Sequence, residues 1–325
     1  MKIFSQQMKL FDKHPESGLL SVEVITLIYM AVTAVMTLIW WDNINGPDVM
    51  MAWRVGVVAY IVAANLVYRR WPTRMMVLLR MAPLLLCLIQ WYPETYEFCK
   101  QFNYQDHVFA RIDWMMFGCQ PSMLMDSWLS STFWYEAFNL GYYSYYYMMM
   151  AVLMFYFIVR YERFQWASFV FLASFFLFYF IYEFLPVAGP QYYYCALGVE
   201  ASGRAEFPAL GHYFVTHTEV LPLEVRGFFS KMVLAAQETG ERPTAAFPSS
   251  HVGMSTVSML LAWYCGNRRL FWLLMPFWLL LVIATVYIKA HYVIDSICGL
   301  VAAVAFFALT SWLYPKVKTP FRLKD

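Results

Sequence analysis

Long runs of apolar residues constrain this chain more than any other feature. They recur from residue 19 to residue 313, separated by short basic stretches and two longer mixed segments. A hydrocarbon core of about 30 Å is crossed by about 20 apolar residues of helix. Inside it, every backbone N–H and C=O must find its partner within the protein. The runs therefore predict an all-α, polytopic transmembrane helix bundle of about eight spans, at 19–41, 51–68, 75–92, 142–159, 166–186, 251–265, 270–288 and 290–313. Composition agrees, with 61% hydrophobic and only 14% charged residues. A soluble domain carries about 25% charged residues, so a water-facing surface could not be built from this chain.

The placement of charge gives an independent test. Lys2, Lys9 and Lys13 precede the first run; Arg69, Arg70 and Arg74, Arg160 and Arg163, and Arg268 and Arg269 fill short connections; Lys316, Lys318, Arg322 and Lys324 follow the last. The positive-inside bias then puts both termini in the cytoplasm and the two long segments, 93–141 and 187–250, on the outer face. The chain reads as a single integral membrane domain over 1–325, with an outer interfacial segment at 93–141 and a Pro- and Gly-rich outer cap at 187–250. The motif-bearing region is 251–313. Lys2, Lys9 and Lys13 lead into a run too long for a signal peptide, and no small-residue cleavage signal follows. Arg54 sits near the start of its run, from where it could snorkel to the interface. Arg80, mid-run, is expected to face protein. Cys99, Cys119 and Cys195 fall in polar stretches and could form one disulfide; no framework is implied. A net charge of +2 gives no reason to expect a nucleic-acid partner.

Two short segments carry chemistry. In AAFPSSHVG, 245–253, Ser249 or Ser250 can cap the helix that follows, which puts His251 in its first turn beside free N–H groups. A helix start with small hydroxyl residues suits an anion, so Ser249 and Ser250 are candidate phosphate contacts and His251 a candidate acid. The same residues also read as a plain interfacial cap. In YIKAHYVID, 287–295, His291 and Asp295 stand four apart, on one face if helical. Asp295 could take the proton of one ring nitrogen and leave the other free to attack; the pair also reads as a structural hydrogen bond. The predicted spans bring both histidines to the same membrane face. Candidate phosphate bases are Lys289, Arg242 and Lys231, with Arg226 nearby; each also reads as an interfacial base. His212, His217 and Glu219 form a polar cluster whose spacing fits no strong zinc pattern, and no metal or cofactor is expected.

At these residues the chain resembles the type-2 phosphatidic acid phosphatase (PAP2) superfamily. PSSH, Pro248 to His251, resembles its second motif, and the His-x-x-x-Asp of His291 and Asp295 its third. Within it the chain is similar to the branch of inositol phosphorylceramide synthases and bacterial relatives, also at LPVAGP, 185–190, and at DWMMFGCQPS, 113–122. The resemblance implies a six-helix core, His291 as nucleophile, Asp295 as its partner, His251 as general acid, and no metal. The first motif, a lysine followed seven residues later by Arg-Pro, is absent: Lys231 stands eleven before Arg242-Pro243. The usual third-motif arginine would fall at Thr285, whereas the branch carries a base two before the histidine, where Lys289 stands.

The resulting expectation is a membrane-bound lipid phosphate or lipid diphosphate phosphatase working through a phosphohistidine. Its alternative is a phosphotransferase that moves a phosphate-containing headgroup between a lipid and an alcohol or lipid acceptor. A non-enzymatic lipid carrier or channel, or a membrane scaffold, remains as a further reading. The implied partners are the bilayer and a membrane lipid phosphate. The implied location is a bacterial inner membrane with the site on the periplasmic side, or the lumenal side in a eukaryote.

Overall fold

The structure is a computed structural model that describes residues 18–318; Lys2, Lys9, Lys13, Arg322 and Lys324 lie outside the described residues. Among the described residues there are fourteen α-helices and no strand. In chain order they are α1 (Ser21–Ile39), α2 (Pro47–Arg70), α3 (Arg74–Leu86), α4 (Leu88–Cys99), α5 (Asp106–Phe117), α6 (Pro121–Trp128), α7 (Thr132–Tyr143), α8 (Tyr145–Val159), α9 (Phe164–Phe184), α10 (Pro190–Leu197), α11 (Phe228–Gly240), α12 (Ser250–Tyr264), α13 (Arg268–Tyr287) and α14 (Val293–Lys318).

Among the described residues, six helical stretches are long and apolar enough to cross a membrane: Ser21–Ile39, Pro47–Arg70, Arg74–Cys99, Tyr161–Phe184, Arg268–Tyr287 and Val293–Val317. A seventh is reached if α7 and α8, bent by 43° at their junction, count as one span. The chain is an integral membrane protein whose described residues hold six or seven such stretches rather than the eight expected. The difference lies chiefly at 251–265. There the helix α12 forms as anticipated but has only fifteen residues, about 22 Å at 1.5 Å per residue. Residues 252–259, Leu261 and Ala262 are all buried, so most of α12 is wrapped by protein, as an all-round apolar helix should be, while Trp263 and Tyr264 at its end are exposed. Its hydroxyls turn inward on their own helix: Ser255 and Thr256 donate to the Val252 carbonyl and Ser258 to that of Met254. That back-bonding satisfies polar groups that have no water.

By internal contacts the described residues divide into two compact units, one of residues 18–94, 153–176 and 307–318, the other of 95–152 and 177–306. The first is knit by aromatic packing, with Tyr29 stacked on Phe176 at 4.1 Å and Trp91 set edge-on to both at 5.5 Å. It also buries two ion pairs. Arg80, fully buried as anticipated, gives Nε and Nη2 to the two carboxylate oxygens of Glu23 at 2.7 and 2.6 Å, and Nη2 also donates to the Gly18 carbonyl. Arg54 takes the other course open to a cation near the end of a span. It does not snorkel; it is buried and binds Glu94 at 2.7 Å and the Met50 carbonyl at 2.8 Å. A carboxylate within reach is a better partner than a distant interface, because a guanidinium in a dry interior must be paired.

The second unit holds both sequence motifs. Here α14 lies against the start of α12 so closely that a Cβ on Gly299 would come within 2.6 Å of the Ser249 carbonyl oxygen. Only glycine allows that approach. The cysteines anticipated as one possible disulfide, Cys99, Cys119 and Cys195, are all unpaired thiols.

Candidate functional site

The PSSH segment builds one wall. Ser249 is the N-cap of α12, and its Oγ accepts from Val252 N at 3.3 Å. Ser249 N donates to the Asp295 carbonyl at 3.0 Å, which joins the two motifs through backbone. Pro248, whose peptide bond with Phe247 is cis, receives the Tyr182 hydroxyl on its carbonyl at 2.9 Å. His251 therefore stands in the first turn of α12, half-buried, with its ring stacked on Tyr142 at 4.5 Å and tilted against Tyr145 at 4.6 Å.

The facing wall is the turn between α13 and α14. No glycine or proline marks it. Instead Lys289 takes the left-handed conformation at φ 65° and reverses the chain, and His291 N returns to the Thr285 carbonyl at 3.0 Å. His291 sits in this turn, ahead of α14, only 3% exposed. Its ring lies 5.8 Å from that of His251, centre to centre, at 64°. The two histidines, forty residues apart in sequence, share one site.

The proton on His291 is held differently from the sequence expectation. Nδ1 donates to the Ala246 carbonyl at 2.7 Å, while Asp295 Oδ2 stands 3.8 Å away, beyond a hydrogen bond. Asp295 is the third residue of α14, and its Oδ2 accepts from Tyr292 N at 2.8 Å, at the start of the helix. That is the carboxylate half of a capping box, and it draws Asp295 off the ring. Because a carbonyl only accepts, Nδ1 carries the proton and Nε2 the lone pair. Burial pushes the His291 imidazole down to about 4, opposed by the bond to Ala246.

The LPVAGP segment joins the two walls. Ala246 N donates to the Val187 carbonyl and Gln191 N to the Lys289 carbonyl, so 187–191 bridges the two motif segments. Gly189, at φ 99°, passes so near that a Cβ would lie 2.5 Å from the Ala290 carbonyl oxygen. Two carboxylates on α5 hold this arrangement from behind. Asp106 accepts from Ala188 N at 2.9 Å, Gly189 N at 2.8 Å and the Tyr292 hydroxyl at 3.3 Å. Asp113 accepts from Val293 N at 2.8 Å and Ile294 N at 3.0 Å, capping α14. Burial pushes the Asp106 carboxyl up to about 6 while its N–H donors pull it down, and Asp113 is raised by the same cause.

The candidate phosphate bases are not gathered around the histidines. Lys289 Nζ is bound to Asp126 at 2.7 Å. It lines a cavity of about 130 Å³ with Asp126, Gln191, Glu224, Arg226 and Tyr287, whose walls include neither histidine. Arg226 is paired with Glu224 at 2.7 Å. Arg242 is exposed and donates to the Glu241 carbonyl, and Lys231 is exposed. Ser249 is committed to its cap, and the Ser250 carbonyl receives the Tyr145 hydroxyl at 3.4 Å. His212, His217 and Glu219 are exposed, with His217 stacked on Tyr213. Among the described residues no group of three or more His, Cys, Asp or Glu side chains is set to hold a metal ion.

Sequence reading missed Asp106, Tyr142 and Tyr145, and saw Asp113 only as part of a resembling stretch. Their partners lie far away in the chain, so no local spacing marks them. The one available signal was two carboxylates seven apart on a half-apolar helix, which share a face.

A profile of the PAP2 superfamily matches residues 108–309, a stretch that takes in His251, His291 and Asp295. No curated protein and no solved structure matches the chain.

Proposed function

From its place in the PAP2 superfamily, to which this chain belongs, we propose that it is a membrane-bound lipid phosphate or diphosphate phosphatase acting through a phosphohistidine on His291. The observation that carries this reading is the pair of rings 5.8 Å apart, one of them with its Nδ1 proton already held by a carbonyl. His291 Nε2 attacks phosphorus, and the bond from phosphorus to the lipid oxygen breaks. His251 gives that oxygen a proton. His251, now neutral, takes a proton from water, whose oxygen attacks phosphorus and breaks the N–P bond, releasing phosphate. Splitting the displacement this way suits a nucleophile with an adjacent base. The helix start beside His251 opposes its protonation, so the acid step draws on the charge of a bound phosphate. Ser249, Ser250, Lys289, Arg242 and Lys231 are retained as phosphate contacts for the occupied state. For Lys289 this requires exchange of Asp126 for substrate.

A second reading follows from the cavity beside Lys289. About 130 Å³ of polar-lined space borders the turn that carries His291, room for an alcohol in place of water. Lys289 stands where the inositol phosphorylceramide synthase branch carries its base. In that case the phosphohistidine passes its group to a lipid or alcohol acceptor. The short basic connections support an outer-face site, periplasmic in a bacterium or lumenal in a eukaryote.

The deciding experiment gives the purified protein a lipid phosphate labelled on phosphorus, with and without alcohols, and separates the products. Free phosphate alone in every arm supports the phosphatase, and a labelled alcohol supports transfer. Unchanged turnover in His291→Ala overturns both.

A further inference from the structure

The contacts around His291 form a chain that ends on a residue outside both motifs. Asp106 is buried at 2% exposure, and its two carboxylate oxygens take the N–H groups of Ala188 and Gly189 at 2.9 and 2.8 Å. The next residue back, Val187, offers the carbonyl on which Ala246 N hangs at 3.0 Å. Ala246 in turn offers the carbonyl that holds the His291 Nδ1 proton at 2.7 Å. A second arm closes the loop, since the Tyr292 hydroxyl, one residue after His291, donates to Asp106 Oδ1 at 3.3 Å. Asp106 thus grips the segment that sets the proton acceptor and the residue beside the ring that gives the proton. It lies two residues before the stretch shared with the superfamily profile.

We infer that Asp106 is a positioning residue for His291: by fixing 187–189 it fixes the Ala246 carbonyl, and so keeps the imidazole in the tautomer that leaves Nε2 bare. The inference rests on the reading of His291 as nucleophile. The chemistry of the side chain explains why a carboxylate is needed. Two N–H donors converge on it, and an ionised carboxylate accepts both. An amide of the same shape has one acceptor and one donor, so one N–H would face an NH2. Asp113 offers a contrast on the same helix. It makes the same kind of grip on Val293 and Ile294 but takes no part in the path through Val187 and Ala246. With Ala246 displaced, Nδ1 loses the acceptor that holds its proton, and the tautomer with the proton on Nε2 is no longer disfavoured.

The test is ¹⁵N NMR of histidine-labelled full-length protein in detergent or nanodiscs, with the His291 signals identified by their loss in His291→Gln. In the native chain Nδ1 should show the shift of a protonated ring nitrogen and Nε2 that of a bare one. In Asp106→Asn we expect the two signals to move toward each other as the second tautomer appears. On a lipid phosphate kcat should fall about 100-fold, the penalty of a displacement near 1 Å, with KM little changed. Asp113→Asn should lower thermal stability and leave the His291 signals in place. A native spectrum in folded Asp106→Asn, or a native protein with its proton on Nε2, overturns the assignment. If Asp106→Asn does not fold, Tyr292→Phe decides: a second tautomer there supports the link, and an unmoved spectrum overturns it. Turnover that survives His291→Ala while Asp106→Asn still mixes tautomers would instead leave the link standing and remove the proposed nucleophile.

Discussion

The two units bury acidic side chains in different ways. In the first, each buried carboxylate meets a guanidinium: Glu23 meets Arg80 and Glu94 meets Arg54. In the second, three carboxylates meet backbone instead. Asp106 takes N–H groups at the start of α10, Asp113 those at the start of α14, and half-buried Glu136 those of Phe229 and Ser230 at the start of α11. Both arrangements satisfy a desolvated anion, but they do different things. An Arg–Glu pair neutralises itself and joins two helices side to side. A carboxylate on a helix start supplies the missing cap from another element and draws on the positive end of that helix. Helix starts are also where the histidines stand, so in this unit the same groups that hold the fold set the site.

Breaking each arrangement should separate them. The largest expected effect is in the first unit: Glu23→Ala leaves Arg80 buried without its partner and should lower unfolding free energy by about 3–5 kcal/mol, read as a fall in thermal midpoint. Replacing both partners with apolar residues, Glu23→Met with Arg80→Leu, should recover most of that loss. Failure to recover would show that the pair does more than neutralise itself. Next, Asp113→Ala should remove about 1.5–3 kcal/mol, the worth of hydrogen bonds to a charged group, again read from the midpoint. Ser249→Ala, the loss of a local cap, should remove about 1 kcal/mol. The smallest effect is an absence of change. Because burial holds the His291 imidazole down at about 4, the neutral ring persists well below the ordinary pKa of about 6.5. The His291 ring should therefore stay neutral from pH 7 to pH 5 and gain its second proton only as pH nears 4, read from its ¹⁵N shifts. A titration of that ring near 6.5 would mean that it is solvated.

What the sequence made legible was local. The apolar runs announced the membrane helices because about 20 consecutive residues carry the signal. The cap at Ser249 and the first-turn position of His251 were readable because Pro-Ser-Ser fixes a helix start within four residues. The Ala246 acceptor was not readable, since it is a carbonyl forty-five residues from the ring it holds. Asp295 misled for a local reason: four residues apart suggests one helix face, but the helix begins at Val293 and Asp295 caps it. The turn at Lys289 was hidden because a lysine takes a conformation usually given to glycine. Asp106 and Asp113 were hidden because they serve N–H groups 82 to 181 residues away.

The shortness of α12 has a consequence for how the protein meets different lipids. A lipid-facing helix adjusts its tilt to hydrophobic mismatch as acyl chains lengthen or shorten. A fifteen-residue helix buried over residues 252–259 and again at Leu261 and Ala262 is shielded from that adjustment over most of its length. The first turn of α12, with His251 on it, should keep its register against the neighbouring segments in thin and thick membranes alike.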